Sequence, residues 1–283
     1  QRTDGIIPTL QPSAQPMYPL LGIDADSAYH FLSVGYALDI LGAALETTIQ
    51  RVQDASPTSV IATVRALAWD TDAWASGAWV DAFGSAVLIN LRSDSSTDTA
   101  ALEALIGWLT THANPDTGLW GSATAAQGLL QPVNGFYRAS RGTFAQYGVP
   151  LPYPRQIIDT VLRHADDARY FAPSAQDACN VLDVAHPLWL TRAAGYRSKE
   201  VRGLAERVLS DALAGWVDDQ GFRFDAGGDR ATPELQGTEM WLAIIWYLAD
   251  LLGTADLLGY EPRGVHRPEA AVGLSRPAPN SRR

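Results

Sequence analysis

Three short stretches carry side chains with the types and spacing that proton transfer or ligand capture requires. In "NGFYRASRGTF", Tyr137 and Arg141 stand four residues apart and share one face of a helix, with Arg138 beside them. An arginine facing a cavity clamps a carboxylate or polarises a carbonyl, and a neighbouring tyrosine delivers or removes a proton. In "QDACNVLDVAHP", Cys179, Asp183 and His186 fall on one face at i, i+4 and i+7. That spacing suits a metal, a carboxylate-oriented histidine or an activated thiolate. His186 precedes Pro187, where a break or kink of the helix is expected. In "AWDTDAW", Asp70 and Asp72 open a helix between Trp69 and Trp74. The acids there either cap the helix or act as a carboxylate pair beside a sugar-stacking wall. Glu239 interrupts the apolar run "ELQGTEMWL", and a buried unpaired charge there would be costly.

These groups need a frame that brings distant segments together. "NPDTGLWGS" places Trp120 directly behind a turn, and the arrangement recurs. Trp69 lies 51 residues before it, Phe171 lies 51 after it, and Phe224 follows 53 further on; a step back from Trp69 reaches Tyr18. A period of about 51–53 residues signals a repeat architecture. Each period holds an apolar helical pattern, a turn and a more amphipathic helix. "VRGLAERVLSDALAGWV" places Val201, Leu204, Val208, Leu209, Leu213 and Val217 on one broad stripe. Thr97 and Ser198 are candidate N-caps, and Pro154 suits a first helical turn. Without polar capping repeats, closure is favoured over an open solenoid. The expected fold is all-α, a single α/α toroid of five to six helical hairpins. Residues 18–255 form the toroid domain, 1–17 an N-terminal extension, and 256–283 a Pro- and Arg-rich tail. In such a ring the loop aromatics staple helix ends together.

The aromatic loops resemble those of the terpenoid cyclase and protein prenyltransferase superfamily, which carry Asp-Gly-x-Trp-Gly. "PDTGLWG" matches with one insertion, "DDQGFRF" matches in part and "ADDARYF" is degenerate. The resemblance spans residues 18 to 255 and implies the toroid fold. Its catalytic motifs are incomplete. The cyclase Asp-x-Asp-Asp is represented by Asp70 and Asp72, with Ala73 where the last acid belongs. The prenyltransferase zinc set is represented by Asp177 and Cys179, with Gly237 where a histidine belongs. No bound metal is expected.

Composition narrows the partners. The net charge of −10 and pI of about 4.9 repel phosphate backbones, so no nucleic acid is expected. No apolar run is long enough to span a membrane. Cys179 is alone, which favours a reducing, cytoplasmic compartment; the chain begins without Met, which is compatible with a trimmed leader. No P-loop, dinucleotide glycine motif, Gly-x-Ser-x-Gly or His-Glu-x-x-His is present, so no cofactor is expected.

The expected function is that of a carbohydrate-active enzyme, a glycan hydrolase or lyase on a small-molecule or oligosaccharide substrate. The candidate catalytic residues are Asp70, Asp72, Tyr137, His186 and Glu239. The candidate binding residues are Trp74, Arg138, Arg141, Asp177 and Asp183. Asp24, Asp26, His30 and Glu234 are further polar residues of the expected mouth. Hydrolysis requires two carboxylates across the cavity. A lyase would use Tyr137 or His186 as base, with Arg141 on a uronate carboxylate. The alternatives are a single-toroid isoprenoid cyclase or transferase, and a non-catalytic binding scaffold.

Overall fold

The computed structural model describes residues 3–9, 20–23, 25–225 and 232–273. Residues 1–2, 10–19 with Tyr18, Asp24, 226–231 and 274–283 lie outside the described residues, as does the side chain of Asp26. Among the described residues the fold is all-α apart from one two-stranded hairpin. The helices are α1 (Ala25–Ile40), α2 (Gln50–Gln53), α3 (Pro57–Ala66), α4 (Ala73–Ser93), α5 (Ala100–His112) and α6 (Leu130–Ser140), followed by α7 (Pro154–Ala165), α8 (Ala168–Phe171), α9 (Ala178–Leu190), α10 (Ser198–Ala214) and α11 (Leu235–Leu252). The hairpin pairs β1 (Trp216–Val217) with β2 (Gly221–Phe222) antiparallel, Trp216 opposite Phe222. Among the described residues, no helix is long and apolar enough to cross a membrane.

Helices of two kinds alternate. In α4 every residue from Val80 to Asn90 is buried, whereas α5 buries only one face, through Ala101, Leu102, Leu105, Ile106 and Leu109. The buried helices α4, α6, α9 and α11 pack in chain order, and α1, buried on one face only, packs on α4. The amphipathic helices lie against them, α7 on α9 and α10 on α11, with α3 on α5. Glu103 and Glu206, on amphipathic helices, are exposed as expected.

The tightest contact, α4 on α6, is a seam of glycines spaced seven apart. A Cβ at Gly77 would stand 2.1 Å from the Gly135 carbonyl oxygen, and one at Gly84 would stand 2.0 Å from that of Gly142. The backbones touch because no side chain intervenes. Directly after α6 the chain widens into a π-helical turn, Arg141–Ala145. Such turns re-aim side chains. Gly84→Ala is expected to force the seam apart and cost about 3 kcal/mol; a urea midpoint equal to wild type would show that the helices can part without strain.

Two of the recurring aromatics, Trp69 and Trp120, are staples, whereas Phe171 lies within α8 and Phe224 lines a cavity. Trp69 donates its indole N–H to the Val64 carbonyl on α3 at 3.0 Å, and Trp120 donates to the Leu109 carbonyl on α5 at 2.9 Å. Trp120 is 2% exposed and stacks on Phe136 and Phe144, at 5.2 and 5.9 Å. Trp120 thus ties the end of α5 to α6, and Trp69 ties the end of α3 to Trp108 of α5 and to Trp120, 6.2 Å away in each case.

Local expectations diverge at four places. Thr97 is not an N-cap; its hydroxyl donates back to the Asp94 carbonyl, and Thr99 occupies the cap position of α5. Ser198 is the first residue inside α10, and Arg197 stands at the cap with φ of 47°. Leu213 is 55% exposed and Val217 lies in β1, so the buried stripe of α10 is Val201, Leu204, Ala205, Val208 and Ala212. Pro187 does not break α9, which runs on to Leu190, its final turn closed by the Thr191 hydroxyl on the Pro187 carbonyl at 2.7 Å. Pro154 opens α7 as expected.

His164 on α7 is 1% exposed, with neither ring nitrogen hydrogen-bonded among the described residues and the Phe171 ring edge-on at 5.1 Å. Burial holds its pKa down at about 4, against 6.5 for a free imidazole. Below pH 6.5 the unfolded chain takes up a proton that the folded chain refuses, so stability falls as pH drops from 6.5 towards 4 and is level above that window. The loss approaches about 1.4 kcal/mol per pH unit. Urea titrations of His164→Phe at neutral and acidic pH should show a flatter profile than wild type; an unchanged slope would assign the acid sensitivity elsewhere.

Candidate active site

The buried helices enclose a cavity of about 590 Å³. Its wall is built at helical spacing: Tyr29 and Tyr36 from α1, Trp74, Asp81 and Ser85 from α4, Tyr137 and Arg138 from α6, Arg141 from the π turn, Cys179 and Asp183 from α9, and Gln236 and Glu239 from α11. Phe224 and His266 complete it. Its volume and mixed lining are those of a small-molecule site.

Asp81 lies in the fully buried stretch of α4, 4% exposed. It is held by Arg141, whose Nε donates to Oδ1 at 3.2 Å and whose Nη2 donates to Oδ2. The glycine seam sets this pair, because Gly142 leaves room for Asp81 where a Cβ would come within 2.4 Å of the Asp81 Cα. Arg138 sits nearby, its Nη1 3.8 Å from Asp81 Oδ2 and 3.2 Å from the Tyr29 hydroxyl. Its guanidinium lies over the rings of Trp74 at 5.2 Å and Tyr29 at 5.6 Å.

From Arg141 a continuous hydrogen-bonded chain leads to Glu239. Arg141 Nη1 donates to the Tyr137 hydroxyl oxygen at 2.8 Å, and that hydroxyl is 2.8 Å from His266 Nε2. His266 Nδ1 is 2.7 Å from Glu239 Oε1. One proton arrangement satisfies every contact: Tyr137 donates to Nε2, and the Nδ1 proton is donated to the carboxylate. The His266 carbonyl accepts from Tyr247 at 2.6 Å, which fixes the imidazole from behind.

The electrostatics divide the acids. Burial drives Asp183 well above the usual carboxylate range, with Arg138 and Arg141 pulling against it. Burial also pushes Glu239 upward, but the adjacent His266 outweighs it and the net shift is downward. Burial raises Tyr137 strongly, opposed by Arg141. Cys179 is pushed up to about 12 by burial, so it is a thiol at neutral pH.

Of the residues singled out from the sequence, Trp74, Tyr137, Arg138, Arg141, Asp183 and Glu239 line the cavity. His186 stands behind the wall, edge-on to Tyr137 and Tyr247 at 5.3 Å each, and burial holds its pKa well below the usual value. Asp70, Asp72 and Asp177 do not join the wall. Asp72 caps α4 by accepting from the Ala75 amide at 3.1 Å, and Asp177 caps α9 by accepting from the Asn180 amide at 2.7 Å. Asp70 is exposed and accepts from Ser122 at 2.9 Å. His30 is exposed on α1, and Glu234 precedes α11 outside the cavity.

Two central residues escaped the sequence reading. Asp81 carries the signal used for Glu239, a charge inside an apolar helix. His266 lies in the segment read as a tail, of which the 3₁₀ turn Gly264–His266 packs on α1 and on the π turn. Arg267 anchors that turn to Asp39 at 2.6 Å. Gly237 admits no side chain, since a Cβ there would meet the Phe224 amide nitrogen at 2.7 Å. Among the described residues, no group of three or more His, Cys, Asp or Glu side chains forms a metal cluster. Comparison with known protein families, curated proteins and solved structures finds no match to this chain.

Proposed function

We propose that this chain is a carbohydrate-active enzyme, a glycan lyase in which Tyr137 moves the proton. The observation that carries the reading is the Tyr137 hydroxyl, held between Arg141 and His266 at 2.8 Å each on a cavity wall. His266, backed by Glu239, is placed to take the phenol proton, and Arg141 is placed to steady the phenolate that results. An imidazolium formed there is flanked by two anions, so the charge separation is supported from both ends. Trp74 supplies a ring face for a sugar. A wall that carries Asp81, Arg138, Arg141, Asp183 and Glu239 suits a hydroxyl-rich ligand better than the hydrocarbon of an isoprenoid.

Hydrolysis is the second reading. Asp183 and Glu239 share this cavity, and their surroundings drive their pKa values in opposite directions, the pattern of a general acid and its carboxylate partner. We further propose that α1, α4, α6, α9 and α11 are the inner staves of an α/α toroid, with residues 264–267 between α11 and α1. The support is their packing in chain order and the alternation with amphipathic helices.

The test is a screen of oligosaccharides, with ultraviolet absorption reporting a new conjugated double bond and reducing-end assay reporting any cleavage. Absorbing products are expected. Reducing ends without absorption would transfer the assignment to the two carboxylates. Cleavage of none would remove the glycan reading.

A further inference from the structure

Arg138 is the least closely engaged charge of the cavity wall. Asp81 spends both carboxylate oxygens on Arg141, whose two nitrogens engage Oδ1 and Oδ2. Arg138 stands 3.8 Å from that carboxylate, beyond hydrogen-bond reach, and among the described residues its hydrogen bond goes to a neutral phenol, Tyr29. Glu239 is engaged by His266 on the opposite end of the wall. Asp183 makes no ion pair or hydrogen bond among the described residues, and burial favours its neutral form. A guanidinium with 16% of its side-chain surface exposed therefore has only a loose 3.8 Å ion pair, shared with Arg141, and no carboxylate hydrogen-bonded to it among the described residues, in a chain whose net charge is −10. Mostly buried charges are paired, by the protein or by what the protein binds.

We infer that the ligand of this cavity is a uronic acid residue of a glycan, its carboxylate received by Arg138, and that the reaction is β-elimination. The inference rests on the glycan reading above and narrows it. The guanidinium fork matches a planar carboxylate, and its position over Trp74 and Tyr29 fixes the fork while spending one donor on the Tyr29 hydroxyl. A single such fork beside an aromatic face fits one carboxylate on a pyranose; a diphosphate calls for more cations than the wall holds. Tyr137 and Arg138 both line this cavity, so the group that holds the carboxylate and the group that takes the proton face one ligand.

The chemistry balances without water, oxidant or metal. Arg138 neutralises the carboxylate on C5 and so acidifies the C5–H. Tyr137, its own proton passed to His266, removes that hydrogen. The C5–H electron pair becomes the C4=C5 double bond as the C4–O bond breaks, and the departing oxygen takes a proton from the relay. One glycosidic bond is lost, and one alkene and one hydroxyl are formed.

Calorimetric binding to Tyr137→Phe, which holds ligand without turnover, tests this. The probes are oligomers of galacturonate, mannuronate and glucuronate, their methyl esters, and neutral gluco-oligosaccharides, with farnesyl diphosphate as the rival anion. At least one uronate should bind, and its methyl ester should bind at least tenfold more weakly. Adding Arg138→Gln, in protein shown to be folded by its melting curve, should remove the preference for acid over ester, and Arg138→Lys should retain part of it. Equal binding of acid and ester by Tyr137→Phe would overturn the inference without any need for an Arg138 variant. So would undiminished preference in folded Arg138→Gln, or tighter binding of the diphosphate. Neutral oligosaccharides that bind and are cleaved by wild type would sink the uronate assignment and leave the glycan reading standing. Absence of binding to every saccharide would sink both.

Discussion

Tyr137→Phe is expected to lower turnover of the cleaved glycan by about 10²- to 10⁴-fold, the range for loss of a positioned acid–base group, with little change in KM. The substitution removes one oxygen and keeps the ring, which packs edge-on against His186. Arg141 loses an acceptor and His266 Nε2 loses its donor. That costs about 1–3 kcal/mol of stability, so the variant stays folded and the kinetic loss is read cleanly. Steady-state rates decide it: kcat within twofold of wild type would show that the hydroxyl is structural and would move the chemistry to Asp183 and Glu239.

Asp81→Ala is expected to cost about 3–5 kcal/mol, because it strips the counter-charge from Arg141 in a buried layer and leaves Arg138 without its nearest carboxylate. The large value comes from the orphaned cation rather than from the attraction lost. Exchange of both partners for apolar residues, Asp81→Leu with Arg141→Met, should therefore recover most of the loss, although activity would remain absent. Denaturant melts of the two variants separate these contributions. A double variant as unstable as Asp81→Ala alone would mean that the site depends on the specific geometry of the pair.

Helix identity was legible because periodic burial is local. The buried character of α4 and the one-sided burial of α5 are both visible as patterns of apolar residues, and the 51-residue recurrence of Trp69 and Trp120 marks two staples that do the same work. Tyr137, Arg138 and Arg141 were legible for the same reason: a single helix face gathers them. Acids at helix starts were ambiguous. Asp72 and Asp177 have the signature of both a cap and a cavity acid, and capping prevails because the free amides of the first turn lie within reach of the side chain. The glycine seam was not legible, since Gly77, Gly84, Gly135 and Gly142 read singly as weak helix formers and acquire meaning only when two helices are superposed. His266 was the hardest. Its partner Tyr137 lies 129 residues away, and the segment around it has the composition of a tail. No local pattern encodes a contact made across the whole chain.

The central claim is that the relay from Arg141 through Tyr137 and His266 to Glu239 drives an elimination. The most direct measurement is mass spectrometry of the fragments released from an oligouronate in water enriched in heavy oxygen. The account predicts that one fragment of each cleavage is lighter by a molecule of water than its hydrolytic counterpart, that neither carries the heavy isotope at the new end, and that Tyr137→Phe releases almost none. Fragments of hydrolytic mass with heavy oxygen at the new reducing end, produced equally well by Tyr137→Phe, would contradict it.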